Sequence, residues 1–232
     1  MITKPPIHQA LHAPIILALD VPSPRDIEVI NSLPNPPLSP LTLDHIYIRQ
    51  CRLAGDTVDA WGGCFRHDDL PKLLQLSQGA PALIGHSYWW LRQLPPVARF
   101  FGGSIQEHRG ASYIVPKFYW PRKHSQAEDL KTLIDASIIN EASIAFTFTA
   151  ASCSICGEDI RECTHEVGKD YDGKSCFYWY DGIIKVLEGS FVYRGAEPGT
   201  GFLEKPVSPE QSGWLHLTIN GIDYVATKTP DK

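Results

Sequence analysis

Apolar and polar residues alternate with a period of two in several short segments of this chain, a pattern typical of β-strands that bury one face. In the segment Glu141–Phe148 the alternation puts Ile144 and Phe146 on one face and Ser143 on the other. The chain also contains 19 prolines and 18 glycines, which favour frequent turns between short strands. Together these features predict a mainly β, α+β fold in which helix is the minority state.

Two hairpins are predicted within this pattern. Segments 99–105 and 111–120 are predicted to be paired strands joined by the polar turn 107–110. The segment 214–226 predicts a second hairpin, because Asn220-Gly221 supplies the two left-handed residues that a type I′ turn requires.

Two helices are also predicted. The first begins at Asp68 or Asp69, either of which could cap it, and Gly79 could end it in a left-handed conformation. The second begins at Ser125, where Glu128 completes a capping box.

The predicted domain organisation follows these patterns. Residues 1–40 are proline-rich and show no period of 2 or 3.6, which predicts an N-terminal arm without regular secondary structure. Residues 41–200 are predicted to form the main domain, with residues 151–178 as a cysteine-containing insertion in it. Residues 201–232 are predicted to be a C-terminal β-hairpin extension.

Composition limits the possible classes of function. Hydrophobic residues make up 43% and charged residues 20% of the chain, as in an ordinary soluble globular protein. The formal net charge of -5 disfavours a nucleic-acid binder, which normally carries a basic surface. The apolar run Pro14–Leu19 is too short to cross a bilayer, and the N-terminus lacks a secretion signal. We therefore expect a cytoplasmic protein whose cysteines are reduced or bound to metal.

One short segment concentrates metal-ligand residue types. Cys153 and Cys156 form a Cys-x-x-Cys pair, and Cys163 and His165 follow as a Cys-x-His pair. A Cys-x-x-Cys turn brings both thiolates to one side, and such a donor set suits tetrahedral Zn²⁺. With four protein ligands the zinc would be structural. Cys176 is an alternative fourth ligand if His165 faces away.

Three further segments offer the groups needed for acyl transfer by a serine. Ser143 places a hydroxyl on the uncrowded face of its strand, and His86 follows the short apolar run Pro81–Gly85. Glu188 ends a third strand-like segment. A nucleophile, a general base and an orienting acid are therefore expected on three strands.

The choice of orienting acid depends on which way Glu188 faces. Simple alternation places it on one face with Val186 and Ser190, where a half-buried carboxylate would need a partner such as an imidazolium. Asp135 and Glu141 are the alternative acids.

Four segments carry a resemblance to a known family. In chain order they are Pro81–His86, Val97–Ile105, Ala142–Phe146 and Leu187–Pro198. In this order they resemble the sequence blocks of tailed-phage prohead maturation proteases, which share the fold of herpesvirus assemblins. The segment of the four metal-ligand residues resembles a metal-binding insertion found in some members of that family.

The resemblance implies an antiparallel β-barrel flanked by helices, and a serine endopeptidase that trims scaffold and capsid proteins inside an immature shell. By position, it implies that Ser143 is the nucleophile and His86 the general base. Capsid and scaffold proteins would be substrates or assembly partners in the bacterial host cytoplasm, and the protein could form a homo-oligomer.

The sequence also departs from the family pattern. Gly85 and Ser87 flank His86 where the family usually has asparagine and aspartate, and Ala145 stands where glycine is common. These departures leave a second hypothesis open. The chain could be a catalytically inactive, protease-derived structural protein of a capsid or related assembly, stabilised by zinc.

Overall fold

The computed structural model describes residues 22–85 and 95–202, and the backbone of two strands at 214–219 and 222–227. The described residues up to 202 belong to one compact unit, and the two C-terminal strands belong to another. The first unit has three short helices: α1 (Pro24–Asn31), α2 (Leu70–Leu76) and α3 (Ala127–Asp135). In the described part of the chain, no helix has the length and apolar character needed to span a membrane.

Strands make up most of the regular structure in this unit, which confirms the mainly β, α+β class. They are β1 (Ile46–Arg52), β2 (Ala54–Gly55), β3 (Gly63–Cys64), β4 (Pro81–Ile84), β5 (Ala98–His108), β6 (Ala111–Pro121), β7 (Glu141–Thr147), β8 (Ala150–Cys153), β9 (Asp170–Tyr171), β10 (Lys174–Ser175), β11 (Tyr178–Asp181), β12 (Lys185–Val192) and β13 (Gly201–Phe202).

The main sheet has the strand order β13-β1-β6-β5-β4-β12-β7, and β2 also pairs with β6. All of its pairings are antiparallel except the one between β4 and β12. Its two edge strands approach each other where Phe202 N donates to Asn140 O at 3.1 Å. No ladder joins β7 to β13 among the described residues, so the sheet is not a closed barrel. The predicted barrel of assemblin type is therefore not confirmed.

The main core lies on one face of this sheet. It is rich in aromatic rings: Phe118 lies between Phe191, at 4.6 Å, and Trp120, at 5.7 Å between ring centroids. Helices α2 and α3 contribute buried leucine and isoleucine side chains to the same core. Gly189 in β12 allows this packing, because a Cβ there would lie 2.5 Å from the Phe100 ring.

The hairpin of β5 and β6 confirms the first predicted hairpin, and its turn is tighter than expected. His108 pairs with Ala111, so only two residues connect the strands. Both have positive φ, 52° at Arg109 and 83° at Gly110, as a type I′ turn requires.

The predicted helix caps are wrong, although both helices exist. Asp69 makes no side-chain capping bond to α2, and α3 begins at Ala127 with Gln126 as its uncapped N-terminal residue. Glu128 instead accepts a hydrogen bond from the hydroxyl of Tyr47 in β1. A tertiary contact therefore uses the carboxylate that the sequence pattern assigned to a local cap.

The predicted N-terminal arm is wrong for its described part. Residues 24–31 form α1, which begins with a capping box between Ser23 and Asp26, and Pro24 lies in its first turn. Ile30 is fully buried in a second cluster with β1, β5 and β6. Because neighbouring residues of those strands line the main core, this cluster covers the opposite face of the sheet. Residues 1–21 lie outside the described residues.

The C-terminal strands confirm the second predicted hairpin. Strands β14 (Trp214–Ile219) and β15 (Ile222–Thr227) are antiparallel, and Ile219 pairs with Ile222. This register leaves two connecting residues, as a type I′ turn does. Asn220 and Gly221 themselves lie outside the described residues.

Candidate functional site

The three segments predicted to carry the catalytic groups are neighbours in the main sheet. Strand β12 pairs with β4 on one side and with β7 on the other. In this arrangement Ser190 of β12 lies between Leu83 of β4 and Ser143 of β7. The sheet order therefore brings together segments that are far apart along the chain.

Ser143 lies on the face of β7 opposite the main core. Ala142 is fully buried in that core, and Ile144 packs against it. The alternation of β7 thus confirms the predicted outward direction of Ser143. Ser143 is nevertheless only 8% exposed, so the prediction that its face is uncrowded is not confirmed.

Glu188 shares this face with Ser143, but for a reason that simple alternation missed. The register of β12 against β7 shifts between Val186 and Glu188, so Leu187 forms a bulge. The bulge adds one residue and therefore reverses the facing of the residues before it. Val186 is buried in the main core, whereas Glu188 pairs with Ala145 on the opposite face. The prediction that Val186 and Glu188 share a face is wrong.

Ser190 connects the acid to the strand that precedes the predicted base. Its Oγ lies 2.5 Å from Glu188 Oε2 and 3.2 Å from Gly85 O. Because a hydroxyl has one proton, we assign that proton to the nearer carboxylate. Gly85 N also donates to Phe191 O at 2.9 Å, which ties the end of β4 to β12. His86 lies outside the described residues.

The contribution of Ser190 was not predicted from the sequence. Its only sequence signal is its position two residues after Glu188 in a strand, which places both on one face. That spacing is common in strands, so it carried no specific functional information.

The alternative acids have other partners. Asp135 accepts a two-pronged hydrogen bond from Arg49 Nη2, at 2.9 and 3.0 Å. Although burial acts in the opposite direction, hydrogen bonds from Lys131 and Arg49 lower the pKa of Asp135. Glu141 shares the β7 face of Ser143, but its Oε2 accepts from Gly195 N at 2.6 Å. Among the three candidate acids, Glu188 is therefore the one whose carboxylate accepts a hydrogen bond from Ser190, the residue paired with Ser143.

The predicted metal ligands are brought together. One ligand atom from each of Cys153, Cys156, Cys163 and His165 lies within 4.8 Å of the others. Zn–S bonds of about 2.3 Å in a tetrahedral site place ligand atoms nearly 4 Å apart, so only a small contraction is needed. These four side chains could hold one metal ion.

The geometry of the first pair comes from a tight turn after β8. Gly157 N donates to Cys153 O at 2.9 Å, and Gly157 adopts a φ of 81°. Ile155 N points to Cys153 Sγ at 3.4 Å. Burial raises the pKa of Cys153, but backbone N–H groups of Cys156 and Ile155 outweigh it and lower the value to about 7. The turn therefore favours a thiolate, the form that binds metal.

His165 supplies an independent sign of a missing ligand. Its Nδ1 is buried and has no hydrogen-bond partner in the part of the chain that the structure describes. A buried polar atom without a partner is unfavourable. A metal ion bound by the three sulfurs and this imidazole would supply the missing partner.

Cys176 lies beside this cluster. Its Sγ is 3.9 Å from Cys153 Sγ, yet it is not one of the four mutually close ligand atoms. Burial raises the pKa of Cys176 to about 11, which keeps it a thiol. The geometry therefore favours His165 over Cys176 as the fourth ligand.

The cysteine loop joins the main unit through a small sheet with the order β3-β11-β8. Strand β8 delivers Cys153, and β11 pairs in parallel with β3. Within the loop, Gly168 N donates to Cys176 O and Cys176 N donates to Lys169 O, both at 2.8 Å.

Comparison with known proteins gives no match to a protein-family model, to a curated protein or to a solved structure. Functional inference for this chain therefore depends on its own residues.

Proposed function

We propose that this protein is a serine endopeptidase of the prohead protease type, which cleaves scaffold and capsid proteins during capsid maturation. The observation that carries the proposal is the adjacency of β4, β12 and β7. It gives neighbouring positions to the nucleophile Ser143, to the acid Glu188 and to Gly85, which precedes the general base His86.

In this proposal the roles follow serine-protease chemistry. Ser143 Oγ attacks the carbonyl carbon of the scissile peptide, and His86 takes the hydroxyl proton as the bond forms. His86 then gives that proton to the leaving amine, and water hydrolyses the acyl-enzyme by the same route. Glu188 stabilises the imidazolium, and the hydrogen bond from Ser190 orients the carboxylate of Glu188.

The conformation of Gly85 supports the match to the family block. Gly85 has a φ of 76°, in the left-handed region that glycine adopts readily. Asparagine, which the family usually has here, is one of the few other residues enriched in that region. The conformation of Gly85 is therefore one that an asparagine at this position could also adopt.

Labelling with a fluorophosphonate probe tests the nucleophile. We expect the wild-type protein to be labelled and Ser143→Ala to lose all labelling. Ser112→Ala, which alters another buried serine in a different strand, is the matched control and should keep the label. Labelling that persists in Ser143→Ala would defeat the assignment of Ser143.

The second candidate function is an inactive, protease-derived structural protein of a capsid or related assembly. The low exposure of Ser143, 8%, favours this candidate, because a nucleophile must reach its substrate. Absence of labelling in the wild-type protein, both alone and with assembled capsid or scaffold proteins, would support it over the endopeptidase.

We also propose that the four-ligand cluster holds a structural Zn²⁺. Four protein ligands would complete a tetrahedral site and leave no position for water or substrate. Metal analysis should find about one zinc per chain in the wild-type protein and less than about half in Cys156→Ser. Cys64→Ala removes a buried cysteine outside the cluster and should retain the metal.

In this proposal the protein acts inside an immature capsid in the bacterial cytoplasm. Its partners are capsid and scaffold proteins, and a homo-oligomer is compatible with that setting. Co-purification of the full chain with immature capsids, and its loss from mature ones, would test the location.

A further inference from the structure

A cavity of about 360 Å³ lies between the start of α1 and strands β1, β6 and β5. It is on the face of the main sheet that α1 covers. Strands β4 and β12 separate β5 from β7, which carries Ser143. The cavity is therefore distinct from the candidate active site, and its volume is in the range of small-ligand sites.

Two polar side chains form a row across the floor of this cavity. Gln50 of β1 is directly opposite Lys117 of β6, and Lys117 is opposite Phe101 of β5. Directly opposed residues of antiparallel strands point to the same face, with Cβ atoms about 5 Å apart. Lys117 Nζ also bonds Asp26 Oδ1 of α1 at 2.6 Å, which ties the helix to this row.

Gln50 supplies the strongest sign that a ligand is missing. The residue is only 7% exposed, and its Nε2 is buried without a hydrogen-bond partner among the described residues. An unsatisfied buried donor is unfavourable, and folded proteins rarely keep one. Gln50 is one of the residues that line the cavity, so a small rotation of its side chain would present the amide to a ligand that offers an acceptor oxygen there.

A bulge in β5 leaves open space beside this row. The register of β5 against β6 shifts between Phe101 and Ser104. Gly102, with a φ of 51°, lies in the bulge, and a Cβ built there would meet no atom within 4 Å. Gly103, by contrast, packs closely against β6, where a Cβ would lie 2.4 Å from Val115 O. Gly103 thus holds the backbone of the bulge against β6, while Gly102 leaves space open towards the cavity.

The charges around the cavity select for a single negative charge. Arg25 and Lys117 are cationic and Asp26 is anionic. Hydrogen bonds from Lys117 and Ser23 outweigh the effect of burial and lower the pKa of Asp26, so its carboxylate is ionised at neutral pH. The lining therefore carries a net charge near +1. The Asp26 carboxylate would repel a dianion more strongly than a monoanion.

We propose that this cavity binds a carboxylate group, which accepts hydrogen bonds from Gln50 Nε2 and Lys117 Nζ. A carboxylate has two acceptor oxygens and can bridge donors on adjacent strands. The Lys117 ammonium has three donors, so it keeps its contact with Asp26. The carboxylate could come from a free organic acid or from the C-terminus of a peptide. This site does not depend on the proposed protease activity.

Titration of the full chain with the monoanions acetate and butyrate tests the site, at neutral pH and at constant ionic strength set with chloride. We expect saturable shifts of the backbone amide signals of Gln50, Gly102 and Lys117 in ¹H–¹⁵N spectra. Gln50→Met should weaken binding by roughly tenfold or more, because one hydrogen bond to a charged group is lost. This variant should fold, since it removes the unsatisfied donor and keeps the length of the side chain.

Lys117→Met should also lose binding, whereas Lys174→Met, which removes an exposed lysine of β10, should bind like the wild-type protein. Tight binding of a short peptide with a free C-terminus, together with loss on amidation, would identify a peptide as the source. Preferential binding of butyrate over the peptide would identify a free organic acid. The proposal is overturned if neither probe gives saturable shifts, or if Gln50→Met binds both as well as the wild-type protein.

Discussion

The metal cluster and the Ser143 face are assembled in different ways. The four candidate metal ligands lie within residues 153–165, and a single turn with its backbone hydrogen bonds positions the first two. The Ser143 face combines β4, β12 and β7, which are distant in sequence. The cluster therefore depends on local spacing, whereas the proposed catalytic constellation depends on the order of strands in the sheet.

This difference predicts different consequences of mutation. A metal site made from a polar loop supplies the free energy that the loop lacks, so losing a ligand should unfold that loop. A polar group on an already folded sheet can be replaced without loss of the fold, so its removal should change chemistry rather than stability.

The largest expected effect is the loss of the cysteine loop when zinc is removed. Treatment with a chelator, or the substitution Cys163→Ser, should greatly speed hydrogen exchange across residues 153–176, because apparent zinc-binding energies reach about 10 kcal/mol or more. The amides of β5 and β6 should keep their protection and serve as the internal control. Unchanged exchange in the loop of metal-free protein would contradict a structural metal.

The next effect concerns catalysis without loss of stability. Glu188→Gln should slow fluorophosphonate labelling by about a hundredfold or more, because the base loses the charge that stabilises its protonated form. Urea unfolding of this variant should remain close to that of the wild-type protein. Glu107→Gln changes an exposed glutamate of β5 and should affect neither measurement. A labelling rate equal to wild type would remove Glu188 from the proposed triad.

A third variant separates the alternative acid Asp135 from catalysis. Arg49→Met leaves Asp135 without its two-pronged partner and should lower the free energy of unfolding by roughly 3 kcal/mol, with labelling retained. Lys131→Met removes the more exposed partner of the same carboxylate and should cost less than about 1 kcal/mol. If Arg49→Met instead abolished labelling in a stable protein, Asp135 would have to be reconsidered as the acid.

The smallest expected effect is a pH dependence of stability that comes from a residue outside both the metal cluster and the Ser143 face. Glu197 is buried, and its carboxylate accepts hydrogen bonds from Gly55 N and from the N–H and hydroxyl of Thr57. Burial, with a smaller contribution from Asp59, outweighs these bonds and raises its pKa from 4.5 to about 7. The folded protein therefore binds more protons than the unfolded chain between these values, and stability should fall as pH rises through this window.

The change should be roughly 2 kcal/mol between pH 4.5 and pH 7.5, measured by urea unfolding. Glu197→Gln should flatten the profile, and Glu107→Gln should leave it as in the wild-type protein. A wild-type profile that rises across this window would show that the hydrogen bonds outweigh burial.

Local patterns in the sequence predicted a large part of the fold. The hairpin of β5 and β6, both later helices and the outward direction of Ser143 were confirmed, because each depends on residues close together in the chain. The capping predictions at Asp69 and Ser125 were wrong, since Glu128 contacts Tyr47 from a distant strand. The segment predicted to be an arm contains α1. Its high proline content led to the prediction of an arm, although Ser23 and Asp26 form a capping box at the start of the helix.

The candidate sites show the same division. The spacing of Cys153, Cys156, Cys163 and His165 was sufficient to predict the metal cluster, since a short loop with few alternatives brings these side chains together. The bulge at Leu187, which turns Glu188 away from the core, has no sequence signal of its own. The amide of Gln50, which has no partner among the described residues, has no sequence signal either, because its surroundings come from β6 and α1.

The features that the sequence predicted are properties of a few consecutive residues: strand alternation, turn residues and ligand spacing. They could be predicted because backbone geometry alone relates such local patterns to structure. The neighbours of β12, the bulge that reverses its faces and the cavity beside Gln50 arise from pairing between distant strands. That pairing is selected by the summed packing of the whole core, so it became visible only in the folded chain.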